Sequence, residues 1–104
     1  MIRVFILAIA IYAQPLVDED VLEPSVRNEV DRALTLTPSN DFARASASIK
    51  EGKVDFGLFG LTNGVSKTDA AISIVSSQRS DGRWYSGTND VTSAAAAILM
   101  WSCH

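Results

Sequence analysis

Nucleophiles, bases and metal ligands are few in this chain, and their placement limits what they could do. The one cysteine, Cys103, and the one histidine, His104, occupy the last two positions of the sequence. A Ser-His-Asp or Cys-His arrangement needs a base held by neighbours on both sides, and no internal histidine can serve. Zinc needs ligands gathered from separated positions, which adjacent Cys103 and His104 do not supply, so no metal site is expected. Cys103-His104 also echoes the end of a C-x-x-C-H haem attachment motif, but Met100 stands where its first cysteine would be. Gly57, Gly60 and Gly64 lack the G-x-G-x-x-G spacing that cradles phosphates. No cofactor is expected. Asn89 and Asp90 precede an alanine run and read as helix caps, Asp90 more naturally a cap than a general acid. Arg79 and Arg83 flank a turn with Asp81 and are expected to face solvent.

The elements that position these residues follow from composition and periodicity. The 104 residues are 47% hydrophobic and 20% charged, with a formal net charge of −3. That acidic balance, with no Lys/Arg stripe to neutralise phosphates, argues against nucleic acid as a partner. A single cysteine excludes an internal disulfide framework. Residues 1–13 have the parts of a signal peptide: Arg3, an uncharged run, and Ala13 before Gln14-Pro15. The run is shorter than the ~20 apolar residues of a membrane-spanning helix, so no transmembrane span is expected. Its β-branched content leaves a buried first strand as the other reading. Export would make the protein secreted or periplasmic, with Cys103 a free thiol or paired between chains. Residues 14–23 carry Asp18, Glu19, Asp20 and Glu23 and read as a solvated acidic leader.

Residues 24–104 read as one mainly α domain. Pro24 suits a first helical turn, and Val26, Val30, Ala33 and Leu34 recur at helical spacing over about 24–36. After Thr37-Pro38, Ser39 or Asn40 can cap a second helix over 41–51, with Phe42, Ala45 and Ile49 as its buried edge and Ala43 and Ala47 beside it. Residues 54–64, interrupted by Gly57 and Gly60, read as a buried turn or distorted helix. Ser66-Lys67-Thr68-Asp69 has capping-box spacing before a helix over 68–78. The alternation at Ile72-Ser73-Ile74 and the Asp81-Gly82 pair keep a β-hairpin over Ile72–Tyr85 open. A helix over 91–102 closes the chain, with Ala94 to Ala97 for propensity and Ile98, Leu99 and Trp101 for bulk.

One motif favours helices in the disputed stretch. Gln78, Gly82 and Trp84 fit the spacing Q-x3-G-x-W, between the apolar run Ala70 to Val75 and the segment Asn89 to Leu99. Over residues 60–101 this arrangement resembles one repeat of the terpenoid cyclase and protein prenyltransferase α/α-toroid superfamily, where it is called the QW motif. Similar repeats occur in squalene-cyclase-like proteins, thioester complement proteins and cobalamin carriers. The physics of such a motif is that of a clasp. A glutamine ending one helix can offer its amide to backbone groups orphaned at another helix terminus. Gly82 permits a turn at φ > 0, and Trp84 can lay its ring over the amide and close the gap, its indole N–H needing one acceptor.

The resemblance implies antiparallel helical hairpins forming part of an α/α toroid. It also locates what catalytic members have. Their D-x-D-D-T-A type acids, aligned on Ser93-Ala94, fall on Asn89, Val91 and Thr92 here, with Asp90 between them. Prenyltransferase zinc ligands likewise have no match. Phe56, Phe59, Tyr85 and Trp101, with Trp84, could line an apolar pocket, although core packing is their commoner fate. Repeats of this kind bury apolar faces against their neighbours, so an isolated copy should expose an apolar helix edge open to self-association or a protein partner. The expected function is a non-catalytic repeat unit that packs against or binds a protein or apolar ligand. Two other readings stand beside it: a fragment or remnant of a terpenoid-cyclase-like enzyme, and a small secreted α+β interaction protein.

Overall fold

The computed structural model describes residues 21–62 and 64–104. The signal-peptide and strand readings of 1–13, and most of the acidic leader, lie outside the described residues. Four helices carry the fold: α1 (Pro24–Leu36), α2 (Ser39–Lys50), α3 (Lys67–Ser76) and α4 (Thr92–Ser102). Two-residue strands β1 (Tyr85–Ser86) and β2 (Asn89–Asp90) pair antiparallel, Tyr85 opposite Asp90 and Ser86 opposite Asn89. With 59% of the described residues helical and 5% in strands, the chain is mainly α.

Helix α4 is the axis of the packing. Thr92, Ala95, Ala96, Ala97, Ile98, Leu99 and Ser102 are all buried, so more than one of its faces is covered. One side meets α2, where Ala45 packs on Ala96 and Ala97 with Leu34, Ile49 and Met100 around them. Alanines on both partners allow that close approach. The other side meets α3 and joins the larger core of Val30, Ala33, Ala70, Ala71, Ile74, Trp84, Ile98 and Leu99. Helix α1 lies against α3 with Val30 and Ala33 inward, as its periodicity predicts, and Pro24 opens it at the first position. Leu22 is also in this core, while its neighbours Val21 and Glu23 are exposed.

Three expectations need correction. Helix α2 begins at Ser39 with Pro38 in the cap position, so neither Ser39 nor Asn40 is its cap, and it ends at Lys50. Its inward face is set by Asp41 and Ala45, with Ile49 half-buried beyond them. Phe42 is 42% exposed, and Ala43 and Ala47 are exposed too. The second correction is at Ile72–Tyr85, which forms no hairpin: α3 runs through to Ser76, and the only strand pairing among the described residues is β1 with β2, further along. The helix prevails because Ser66 Oγ accepts the Asp69 N–H at 3.1 Å, while Ala70, Ala71 and Ile74 share one buried face. Its serines do not break it. The hydroxyls of Ser76 and Ser77 donate to carbonyls of Ile72, Ser73 and Ile74 in the last turns, so they bond back onto the helix. Thirdly, residues 54–62 form a turn, one of the two forms expected, but not a buried one. They hold a single 3-10 turn, Gly57–Phe59, closed by Gly60 at φ 73°.

Candidate functional site

The turn after α3 draws the motif residues together. Gly82 has φ 82°, and a Cβ there would lie 2.2 Å from the carbonyl oxygen of Leu36. Only glycine allows the end of α1 to approach so closely. Gln78 Nε2 donates to the Ala33 carbonyl in the last turn of α1 at 3.1 Å and to the Gly82 carbonyl at 3.2 Å. Trp84 is 1% exposed, and its Nε1 donates to the Ile74 carbonyl near the end of α3 at 2.7 Å. Thus one amide and one indole, both neutral, satisfy carbonyls at two helix ends and join α1 to α3. Gln78, Gly82 and Trp84 form a clasp.

A second set of residues begins at the same turn and runs outward. The Trp84 backbone N–H donates to Thr92 Oγ1 at 3.1 Å, and that hydroxyl donates to Asp90 Oδ1 at 2.5 Å. The same Asp90 oxygen accepts the Thr92 N–H at 2.9 Å, which caps α4 from two residues before the helix. Asn89 does not cap; it is exposed and paired with Ser86. Asp90 Oδ2 accepts from Arg83 Nη1 at 2.7 Å, and the same nitrogen lies 3.4 Å from Asp41 Oδ2 in the first turn of α2. Arg83 is therefore not a solvent-facing turn residue as expected: it ties β2 to α2. Arg79 and Asp81 are exposed as expected, with Arg79 over the Tyr85 ring at 5.0 Å.

Hydrogen bonds from the Thr92 hydroxyl and backbone, aided by Arg83, hold the Asp90 carboxyl below its ordinary range. Partial burial pulls the Arg83 guanidinium down, but its hydrogen bond to Asp90 and the charges of Asp90 and Asp41 outweigh this and leave it raised. Asp41 and Thr92 were not recognisable as site residues by motif. The available signal for Asp41 was phase: it stands four residues before Ala45, on the face that packs inward.

The four aromatic candidates do not share a pocket. Phe56 and Trp101 meet edge to face, ring centroids 4.7 Å apart, in a depression with Ile49 and Val54. Phe59 and Tyr85 border a different depression, beside Ser73 and Ser77. The turn at 57–59 separates the pairs, and Trp84 is buried as a core residue. Cys103 is a half-buried free thiol. Beyond the network, an apolar groove of about 360 Å³ runs between α1 and α3, lined by Val26, Ala71, Ile72 and Val75 with Ser25 and Glu29. No described helix is long and apolar enough to cross a membrane. No protein-family model, curated protein or solved structure matches this chain.

Proposed function

We propose that the chain is a non-catalytic α-helical unit of the α/α-repeat kind whose role is packing, with a second copy of itself as partner. The observation that carries this reading is where the clasp points. The Gln78 amide nitrogen and the Trp84 indole nitrogen that the motif supplies donate to backbone carbonyls of α1, α3 and the turn. Side chains so engaged join helices and are not free to work on a substrate. The resemblance to squalene-cyclase-like repeats agrees with such a joint, and repeats of that kind bury apolar faces by stacking on like units.

The groove between α1 and α3 is the surface we assign to this packing. Ile72, on its rim, is 51% exposed and stands as a ridge beside the hollow between Val26 and Val75. A two-fold dimer needs a patch that fits itself, and a ridge beside a hollow can meet that need. The charges on the outer face of α1 cancel among themselves: Arg27 pairs with Asp31 at 3.3 Å and Arg32 with Glu29 at 2.6 Å. Two such faces meet without the repulsion that an acidic chain would otherwise bring. A patch of this kind supports association of the weak class, burying less than about 1,200 Å² in all. Sedimentation of the full chain across a concentration series should show a reversible monomer–dimer equilibrium. Ile72→Asp should shift it at least about tenfold toward monomer with an unchanged helical spectrum. A chain that stays monomeric throughout, or an Ile72→Asp chain that dimerises as well as the wild type, would refute the assignment.

A further inference from the structure

The N-terminal ends of α2 and α4 border a polar cleft of about 280 Å³, lined by Asn40, Asp41, Arg44, Arg83, Asp90 and Ser93. Its charges are not equally satisfied. Asp90 has both oxygens engaged at short range, Oδ1 by Thr92 and Oδ2 by Arg83 at 2.7 Å. The side chain of Asp41 is only 10% exposed, yet its ion pairs, to Arg83 at 3.4 Å and Arg44 at 3.8 Å, are both long. Charge-assisted N–H···O bonds ordinarily close to about 2.7–2.9 Å. A carboxylate withdrawn from water with one long hydrogen bond, on Oδ2, keeps spare acceptor capacity, and this one borders the cleft.

The opposite half is equally available. Arg44 is 72% exposed and only loosely paired with Asp41, at 3.8 Å. Ser93 sits in the first turn of α4, where the backbone favours negative charge. With two carboxylates and two guanidiniums, the cleft is balanced. A simple anion would bring its charge against Asp41 and Asp90, and a simple cation against Arg44 and Arg83. A ligand carrying both signs leaves the balance intact. The volume lies just below the ~300–1,000 Å³ of sites that enclose drug-sized molecules, so the ligand is small.

We propose that this cleft binds a small zwitterion, an α-amino acid, with its ammonium on Asp41 and its carboxylate on Arg44 and Ser93. Three ammonium protons supply the donors that Asp41 lacks, and the ligand carboxylate gives Arg44 a partner that it can reach by rotating its exposed side chain. The site stands apart from the self-association surface, since cleft and groove share no lining residue.

The test is a titration of the uniformly 15N-labelled full chain, read from backbone amide shifts, with glycine, L-alanine and L-serine as probes. Acetate, methylammonium and N-acetylglycine serve as single-charge controls. Saturable shifts centred on residues 40–44, 83 and 93 are expected with the amino acids, at least about tenfold weaker with each control. Arg44→Ala, a change at an exposed side chain, should weaken amino-acid binding about tenfold with the spectrum otherwise intact. Asp41→Asn should abolish it. No saturable shift up to roughly 100 mM amino acid would overturn the proposal. So would equal responses to acetate or methylammonium, or binding untouched by Arg44→Ala.

Discussion

Gln78, Gly82 and Trp84 close the joint between α1 and α3 with neutral groups placed on backbone atoms, whereas Arg83, within the same turn, ties β2 to α2 with charges near the surface. The clasp meets its acceptors at 2.7 to 3.2 Å, the Trp84 bond buried and the Gln78 bonds half-buried, while Arg83 divides one nitrogen between a close carboxylate and a distant one. Neutral hydrogen bonds withdrawn from water face less competition and favour one geometry. Partly solvated ion pairs contribute little each and tolerate rearrangement. One turn therefore feeds a rigid joint on its inner side and an adjustable polar opening on its outer side.

The sharpest way to break the comparison is at Gly82. Alanine there would take a left-handed conformation costing about 1–2 kcal/mol, and its Cβ would meet the Leu36 carbonyl, which must retreat. We expect a loss of about 3–5 kcal/mol, much of the stability of a domain this size, read as a collapse of the thermal midpoint by circular dichroism. A loss below about 1 kcal/mol would mean that α1 does not close on the turn. Trp84→Phe should come next, at about 2–3 kcal/mol by urea unfolding, because it leaves a void and removes the indole hydrogen bond, although the Ile74 carbonyl keeps the Ser77 donors.

Local signals carried most of the inner joint. The apolar period of α1, the Ser66 cap of α3 and the glycine turn each depend on residues a few positions apart, so their physics is visible in the order of the chain. What failed depended on distant partners. The phase of α2 follows from α4: packing Ala45 on Ala96 and Ala97 turns Asp41 inward and Phe42 out, against hydropathy. Arg83 reads as a surface residue until Asp41, 42 positions earlier, is brought beside it. The four aromatics look like one group on composition, but the 3-10 turn at 57–59 puts them in two places. Residues that meet only across the fold leave no spacing to read.

Within the clasp, the glutamine should matter less than its two partners. Gln78→Met removes both donors with little change of volume, yet the Ala33 carbonyl keeps the Thr37 hydroxyl at 2.9 Å. The cost should be about 1 kcal/mol, the worth of an ordinary net hydrogen bond, and should not depend on pH between 4 and 8. A cost above about 3 kcal/mol would show that the amide holds more than these carbonyls.

The outer network should give the smallest effect and the only one that follows pH. Asp90 titrates below its ordinary value in the folded chain because Thr92 and Arg83 favour its charged form. Its contribution is thus complete above the unfolded carboxyl pKa of about 3.9 and is lost as pH falls through the lower folded value. Asp90→Asn keeps a cap for Thr92 but discards the charge, so it should cost less than about 1 kcal/mol at pH 7, where solvent screens the half-exposed pair. The gap between wild type and variant should then narrow as pH is lowered from 5 toward 2, measured as paired urea midpoints. The Gln78→Met gap is set by neutral groups and should not narrow with it. If both gaps close together, the inner joint is coupled to the charged network through Trp84 and Thr92, and the two sides of the turn act as one element.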